Sequence, residues 1–231
     1  YVIAAQPQLY DLSAMSDDDY FLNEKNPEIL FTYGYYLVSY YAWLAKCNFP
    51  ISDDLQALYG DNDWRLTHFF YKRRAVYTAQ KSETSGTTGI YGYAFRTAEA
   101  YLNRAEAYAG KGDKDKALQD LKTIREKRLK VYEEVQAVTK EDVIRRVREE
   151  RRRELSFEFH RWFDLRRWDR PRIEHTFTPD IKQPDVVEKY VLEKDDPAYT
   201  LPLPRSVVEY DPTLVDNPRP QRENQNVTGE N

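Results

Sequence analysis

Apolar side chains recur every three or four residues in 139–168, which is the spacing of one helix face. On a wheel at about 100° per residue, the apolar stripe consists of Ile144, Leu155, Phe159 and Trp162, with Val147 and Leu165 at its edge. Thr139 with Asp142 predicts a capped start, and Pro171 predicts a stop. The pattern therefore predicts one helix from Thr139 to about Trp168, roughly 43 Å long at about 1.5 Å per residue.

Charged residues interrupt this apolar stripe. Arg151 and Glu158 fall inside it, and Glu154 and Arg161 fall just beside it. Because an unpaired charge on a buried face is very costly, the pattern predicts ionic partners for these residues. Glu158 and Arg161 are three residues apart and can meet each other.

A second helical pattern precedes the first and predicts a helical hairpin. Its small and apolar positions are Ala105, Tyr108, Gly112, Ala117, Leu121 and Ile124. Their spacing of 3, 4, 5, 4 and 3 residues fits a 34-residue tetratricopeptide unit, with Gly112 at the turn and Asp113 as the cap of the second helix.

Two positions depart from the tetratricopeptide pattern. Arg104 stands where the repeat usually buries a leucine, and Leu129 stands where a proline usually ends the unit. A single repeat cannot bury its own faces, so we expect the hairpin to pack on the long helix. Our hypothesis is that Arg104 then meets Glu158 or Glu154.

The remaining chain predicts loops and short elements. Residues 1–93 form a loop-rich aromatic region, with a short helix at about 52–59, strand in 67–80 and a flexible loop at 82–92. Residues 94–170 form the helical core. The proline-rich residues 171–231 form an irregular closing segment, with Ser206 capping one helical turn through Tyr210. We expect a single, mainly α domain over 1–231 with a few short strands.

Composition narrows the function. The net charge is −4, and residues 140–172 carry 12 Lys or Arg against 8 Asp or Glu, which argues against a nucleic-acid partner. Cys47 is the single cysteine, so neither an internal disulfide nor a cysteine metal cluster can form, and we expect no metal and no cofactor. No stretch is apolar enough to cross a bilayer. The chain begins at Tyr1 without a leader, which indicates a fragment.

Glu154 and Glu158 raise the question of catalysis. A glycosidase needs two carboxylates that face a sugar from opposite sides. These two share a helix face and are surrounded by arginines, which keep carboxylates ionised. We therefore interpret them as structural and expect no enzymatic activity.

Several segments, in order, resemble the SusD/RagB family of outer-membrane nutrient-binding lipoproteins. They are NPEILF at 26–31, SDDLQALYGDNDWR at 52–65, RTAEAYLNRAEAYAGKGD at 96–113, ERRRELSFEFHRWFDLRRW at 150–168 and YTLPLPRSVVEYDPTLVDNP at 199–218. Family members are commonly about twice as long as this chain, so the resemblance is to their C-terminal half. The family's terminal Gln-Asn-Pro-Gly-like ending is altered here, as Asp216-Asn217-Pro218 leads into RPQREN.

The resemblance implies a SusD-like α-helical fold and binding without catalysis. It also implies a location at the outer membrane and cell surface, with a lipid anchor in a preceding N-terminal part. The implied partner is a TonB-dependent, SusC-like transporter. Glycans are the commonest cargo of the family and some members take peptides, so an oligosaccharide-binding protein and a helical-repeat module that binds protein or peptide segments both remain open.

Flat aromatic rings with nearby amides suit the apolar faces of sugar rings. The candidate ligand-binding residues are Tyr33, Tyr35, Tyr36, Tyr40, Trp43, Tyr59, Asn62, Trp64 and Tyr91. For each ring, packing in the core remains the alternative. The candidate structural ionic core consists of Arg104, Arg151, Glu154, Glu158 and Arg161. Asp63 and Arg65 are expected to form a structural turn pair, and Trp162 and Trp168 are assigned to the core.

Overall fold

The computed structural model describes residues 1–16, 18–32, 50–73, 76–81, 94–177, 185–217 and 225–228. The helices in these ranges are α1 (Val2–Ala5), α2 (Asp53–Gln56), α3 (Arg65–His68), α4 (Thr97–Lys111), α5 (Lys114–Arg125), α6 (Lys140–Glu154), α7 (Arg161–Arg167) and α8 (Arg205–Tyr210). The strands are β1 (Ile29–Thr32), β2 (Phe70–Arg73), β3 (Val76–Ala79), β4 (Ala94–Arg96), β5 (Ile173–Phe177), β6 (Val186–Leu192) and β7 (Gln225–Thr228). A mainly α fold with a few short strands is therefore confirmed.

The chain divides into two compact units, Tyr1–Arg161 and Trp162–Asn231. The first unit holds α1 to α6 and strands β1 to β4. The second holds the three-stranded antiparallel sheet β5-β6-β7 and α8. That residues 1–231 form a single domain stays a prediction.

Helices α4 and α5 form the predicted hairpin, and α6 packs against both. Gly112 ends α4 in the left-handed conformation (φ 83°), where glycine carries no steric penalty, and the Asp113 side chain accepts a hydrogen bond from the backbone of Lys116. Buried residues of the three helices share one apolar core: Tyr101, Leu102, Ala105, Ala109, Ala117, Leu121, Ile124, Val143 and Val147. The alanines allow the close approach of the helices, as the repeat pattern predicts.

The prediction of one helix from Thr139 to Trp168 is correct at its start and wrong at its end. Thr139 and Asp142 form the expected capping box. The helix ends at Glu154, and a separate helix, α7, begins at Arg161. Between them, Phe157 (φ 60°) and Phe159 (φ 65°) adopt the left-handed conformation, which interrupts the helical hydrogen-bond ladder.

Residues 67–80, predicted as strand, contain the end of α3 followed by an antiparallel pair in which Phe70 of β2 faces Ala79 of β3. Helix α2 lies inside the short helix predicted at 52–59. A second apolar core lies here and consists of Leu12, Met15, Phe21, Leu22, Ile51, Leu55, Tyr59, Phe69 and Phe70. Strand β1 pairs with β4 and so brings the chain before α2 next to the start of the helical hairpin.

In the second unit, Tyr199 is fully buried and stacks on Trp162, with ring centroids 5.2 Å apart. Residues 201–204 belong to no helix or strand, as expected for part of the irregular closing segment. The predicted cap of α8 is wrong. Ser206 lies inside the helix, and Pro204 is the capping residue, with no side-chain hydrogen bond.

Within the described ranges, no helix has the length and hydropathy needed to span a membrane. The same ranges contain no group of three or more His, Cys, Asp or Glu side chains arranged to hold a metal ion.

Candidate functional site

A cluster of buried ion pairs lies in the first unit. Its cations are Arg65, Lys81, Arg96 and Arg128, and its anions are Glu28, Asp63, Glu150, Glu154 and Glu158. Every member is less than 8% exposed. The members come from segments far apart in the chain, so folding has to bring them together before their charges can be compensated.

Glu154, the last residue of α6, has the most contacts in this ionic cluster. One carboxylate oxygen, Oε1, accepts hydrogen bonds from Arg96 Nη1 at 3.0 Å and Arg128 Nη2 at 2.9 Å. The other, Oε2, accepts from Arg65 Nη1 at 3.2 Å and Arg128 Nε at 3.0 Å. Both oxygens are therefore held by charge-assisted hydrogen bonds from arginines of three different segments.

The end of α6 also supplies main-chain acceptors. The Glu154 carbonyl accepts from Arg96 Nη2 at 3.1 Å and from Lys81 Nζ, and the Ser156 carbonyl accepts from the same Nζ at 3.4 Å. The turn that follows aims the Glu158 carboxylate back at Arg96, which forms two hydrogen bonds of 2.8 Å with it, and at Lys81. The helix break therefore serves the ionic cluster, since a continuous helix would use these carbonyls within its own ladder.

The remaining pairs extend the cluster in two directions. Arg65 forms a bidentate pair with Asp63, at 2.8 and 2.9 Å, which confirms the predicted turn pair. Arg65 also reaches Glu150 Oε1 at 2.7 Å. On the other side, Glu28 accepts from Arg96 Nη1 at 2.7 Å and from Arg128.

The charges are compensated despite complete burial. Burial raises the pKa of Glu154, but Arg128, Arg96 and Arg65 outweigh it and hold this pKa well below the ordinary value. In the same way, burial raises the pKa of Glu158, and Arg96 and Lys81 lower it overall. For Lys81 burial prevails over the attraction of Glu158 and lowers its pKa to about 8. Its ammonium group also lies 4.0 Å from the centre of a phenylalanine ring, that of Phe69.

A polar pocket of about 340 Å³ lies directly beside this cluster. Its walls are residues 58–63, residues 129–136 and the face of α6 that carries Arg146, Glu150 and Arg153. The positions 146, 150 and 153 are four and three residues apart, so they lie on one face of the helix. The polar side chains that line it include Asn62, Arg125, Glu133, Glu134, Arg146 and Arg153.

Asn62 joins two of the pocket walls. Its side-chain nitrogen donates to the Val131 carbonyl at 2.8 Å and to Glu133 Oε1 at 2.9 Å, and its side-chain oxygen accepts from the Val131 backbone at 2.9 Å. The backbone of Lys130 donates to the Asn62 carbonyl at 2.8 Å. These bonds fix the loop after α5 against the loop after α2 and so give the pocket a defined shape.

Three residues of the predicted structural ionic core, Arg104, Arg151 and Arg161, do not belong to the buried cluster. The hypothesis that Arg104 meets Glu154 or Glu158 is wrong, because Arg104 lies on the exposed side of α4 and forms a bidentate pair with Asp120 of α5, at 2.6 and 2.9 Å. Arg151 is buried but turns towards α4, where it donates to Asn103 at 2.9 Å. Arg161 is exposed at the start of α7 and is not a member of the buried cluster.

Most of the predicted ligand-binding residues lie outside the described ranges, namely Tyr33, Tyr35, Tyr36, Tyr40, Trp43 and Tyr91. Cys47 lies outside them too.

The prediction that Tyr59 binds a ligand requires a correction. Tyr59 is 7% exposed, packs edge-on against Phe70, and its hydroxyl donates to the Arg153 carbonyl at 2.8 Å. Trp64 is half-buried beneath Lys130. Asn62 lines the pocket. The assignment of Trp162 and Trp168 to the core is correct in part, since both are half-buried.

Sequence reasoning missed five members of the ionic cluster, which are Glu28, Lys81, Arg96, Arg128 and Glu150. Glu150 lies within α6, and each of the other four lies at the edge of a short element or in a turn, where a charged residue looks like an ordinary surface residue. The sequence did contain one signal, the number of charges. Several carboxylates on an apolar stripe need several cations, and the helical hairpin offered only Arg104 on the face expected to pack on the long helix.

A mainly α fold, a tetratricopeptide-like hairpin on a third helix and a buried ionic cluster define a helical scaffold. The family model of the SusD family matches residues 32–219, and the chain belongs to this family. Two solved structures from Bacteroides vulgatus ATCC 8482 share the fold. One is a SusD-like carbohydrate binding protein (TM-score 0.54, 20% identity, covering 84% of this chain and 45% of that one).

The other is provisionally described as a sugar binding protein (TM-score 0.55, 22% identity, covering 77% of this chain and 41% of that one). The chain therefore spans less than half the length of these two relatives. A search of curated proteins found no match.

Proposed function

We propose that the chain is part of a non-catalytic protein that binds oligosaccharides at the cell surface and passes them to a TonB-dependent outer-membrane transporter. The observation that carries this proposal is the family match over residues 32–219. The two solved relatives, one a SusD-like carbohydrate binding protein, support the choice of cargo. A lipid anchor in the preceding part of the protein would hold it at the membrane.

The chemistry of the buried carboxylates supports binding rather than hydrolysis. A glycosidase needs one carboxyl group that is protonated near neutral pH. Arginines hold the pKa values of Glu154 and Glu158 below the ordinary value, against the effect of burial. Neither group can therefore donate a proton near neutral pH, and both already accept hydrogen bonds from buried cations.

An exposed aromatic pair supports a sugar-binding surface. Phe31 of β1 and Phe95 of β4 lie on neighbouring strands, with ring centroids 6.3 Å apart and planes 25° from parallel. They are 59% and 49% exposed. Phe31 is followed at once by the tyrosine-rich segment that holds Tyr33, Tyr35 and Tyr36, so candidate rings are concentrated in one part of the chain.

Calorimetric titration with a panel of neutral and acidic oligosaccharides tests the cargo. We expect at least one member to bind and the double variant Phe31→Ala/Phe95→Ala to lower its affinity by about tenfold, since ring stacking is worth about 1 kcal/mol or more. The variant Phe177→Ala, which removes an exposed strand phenylalanine elsewhere, should bind as the wild type does. Binding of peptides with no affinity for any saccharide would contradict the glycan assignment and favour the peptide-binding alternative.

Cross-linking of the full-length protein on its native cell surface tests the partner. The expected product is a covalent complex with an outer-membrane transporter of the TonB-dependent class. Cross-linking that captures no transporter, although the protein remains on the surface, would contradict the delivery step and leave the binding step intact.

A further inference from the structure

We propose that the pocket of about 340 Å³ between Asn62 and α6 is a subsite for the carboxylate of an acidic sugar, a uronic acid residue of the cargo. This inference rests on the proposed function, because it names the substrate class of a saccharide-binding protein. It uses a site that is distinct from the exposed Phe31–Phe95 pair.

The size of the pocket suits one sugar unit. Ligand pockets range from about 300 to 1,000 Å³, and this one lies at the lower end of that range. Its walls are joined by the Asn62 hydrogen bonds to Val131 and Glu133, so the shape exists before a ligand arrives. Such pre-formed polar sites lose little binding energy to ordering.

Near α6 the pocket is lined by two arginines, Arg125 and Arg153, that share one carboxylate, Glu150, while the lining residue Asp63 is paired with Arg65. Glu150 Oε2 accepts from Arg153 Nη2 at 2.8 Å and from Arg125 Nη1 at 3.1 Å, while Glu150 Oε1 is taken by Arg65 of the ionic cluster. Two guanidinium groups therefore share one carboxylate oxygen on the pocket side. In addition, Arg125 Nε is buried and has no hydrogen-bond partner among the described residues. A buried donor of this kind is costly unless a ligand or water accepts from it.

A third guanidinium lies at the edge of the pocket. Arg146 is 38% exposed and pairs with Glu149 at 3.1 Å, which leaves donors that a bound group can use. Arg125, Arg146 and Arg153 all line the pocket, and the forked donors of a guanidinium group match a planar carboxylate.

The acidic residues at the edge narrow the class of anion. Glu133 and Glu134 also line the pocket. Their charges repel a dianion such as phosphate, and their oxygens accept hydrogen bonds from hydroxyl groups. A single negative charge attached to a ring with several hydroxyls satisfies both conditions, and a uronic acid has this chemistry.

Titration by calorimetry, with NMR for weak binding, tests the subsite on the full chain with D-galacturonate and its neutral counterpart D-galactose. We expect galacturonate to bind with a Kd of about 1 mM and galactose to bind at least about tenfold more weakly. Arg146→Gln should weaken galacturonate binding by about fivefold or more. Arg145→Gln is the matched control because it removes a neighbouring arginine that also pairs with Glu149 but does not line the pocket, and it should have no effect.

Three results would overturn the subsite. They are no binding of galacturonate at about 50 mM, equal affinities for galacturonate and galactose, or equal effects of the two arginine variants. If Gly-Gly binds as tightly as galacturonate, the pocket recognises a carboxylate without the sugar, and the acidic-sugar assignment fails. If galacturonate fails these tests but neutral oligosaccharides still bind and respond to Phe31→Ala/Phe95→Ala, only the subsite proposal is contradicted. If no saccharide binds at all, the proposed function is contradicted as well.

Discussion

Glu150, Glu154 and Glu158 are buried carboxylates that remain ionised because each is held by more than one cation. For each of them burial alone would raise the pKa, and the neighbouring arginines reverse the shift. The energetic cost of burying these charges is thus offset by charge-assisted hydrogen bonds, and the balance depends on pH.

Acid should destabilise the protein through these three residues. Their pKa values are lower in the folded protein than the ordinary 4.5, so the unfolded chain binds more protons as the pH falls below that value. The stabilisation is therefore fully present above about pH 5 and is lost progressively towards pH 3 and below. The free energy of unfolding, measured by urea titration at several pH values, should fall over this range.

Glu158→Gln should reduce this pH dependence by up to about 1.4 kcal/mol per pH unit, the equivalent of one proton. Glu141→Gln changes an exposed residue in the first turn of α6 and should leave the slope as in the wild type. An unchanged slope in Glu158→Gln would show that the pKa of this carboxyl is not lowered by folding.

At the scale of elements, the turn between α6 and α7 carries a cost. Phe159 has a φ of 65° and Phe157 a φ of 60°, and a residue with a Cβ atom in this conformation costs about 1–2 kcal/mol. The turn persists because it aims Glu158 and two main-chain carbonyls at Lys81 and Arg96. Local strain is thus offset by the ionic cluster.

Phe159→Gly should therefore stabilise the protein by about 1 kcal/mol, since glycine adopts a positive φ without penalty and the phenylalanine ring is 49% exposed. The matched control is Phe163→Gly, at an exposed site inside α7, where glycine should destabilise by about 1 kcal/mol. Thermal and urea unfolding would measure both changes. Destabilisation by both variants would mean that the turn carries no strain at Phe159.

The same turn shows what the sequence could and could not predict. The start of α6, the Gly112 turn and the hairpin follow from caps and spacing, which are local signals. The break after Glu154 is not local. Residues 155–160 have helical periodicity, and only the buried Lys81 and Arg96, distant in sequence, make the broken form preferable.

The sequence also could not predict which carboxylate pairs with Arg104. Arg104 was expected to cross to the long helix, yet Asp120 lies nearer on the facing helix of its own hairpin and satisfies it at 2.6 Å. The pocket beside Asn62 could not be predicted either, because it depends on how two loops, 58–63 and 129–136, meet. The Asp63–Arg65 pair was accessible from sequence since its members are two residues apart.

At the scale of the whole molecule, the ionic cluster links distant parts of the first unit. The Glu154 carboxylate accepts hydrogen bonds from Arg65 at the start of α3, Arg96 at the end of β4 and Arg128 in the turn after α5. Arg96 also donates to Glu28, which precedes β1. The apolar core of α4, α5 and α6 holds the helical part together. The cluster connects this part to the strand-containing part of the unit, together with the hydrogen bonds of Asn62 to Val131 and of Tyr59 to Arg153.

Glu154→Gln should test this connection, because it leaves three buried arginines short of a charge partner. We expect it to lower the free energy of unfolding by about 3–5 kcal/mol, the usual cost of removing one member of a buried ion pair. Glu149→Gln breaks an exposed pair on the same helix and should cost less than about 1 kcal/mol. Hydrogen exchange adds a spatial readout, since amides of α4, α5, β2 and β3 should all lose protection together in Glu154→Gln. Loss of protection confined to the end of α6 would mean that the helical and strand-containing parts are stable independently and that the cluster does not couple them.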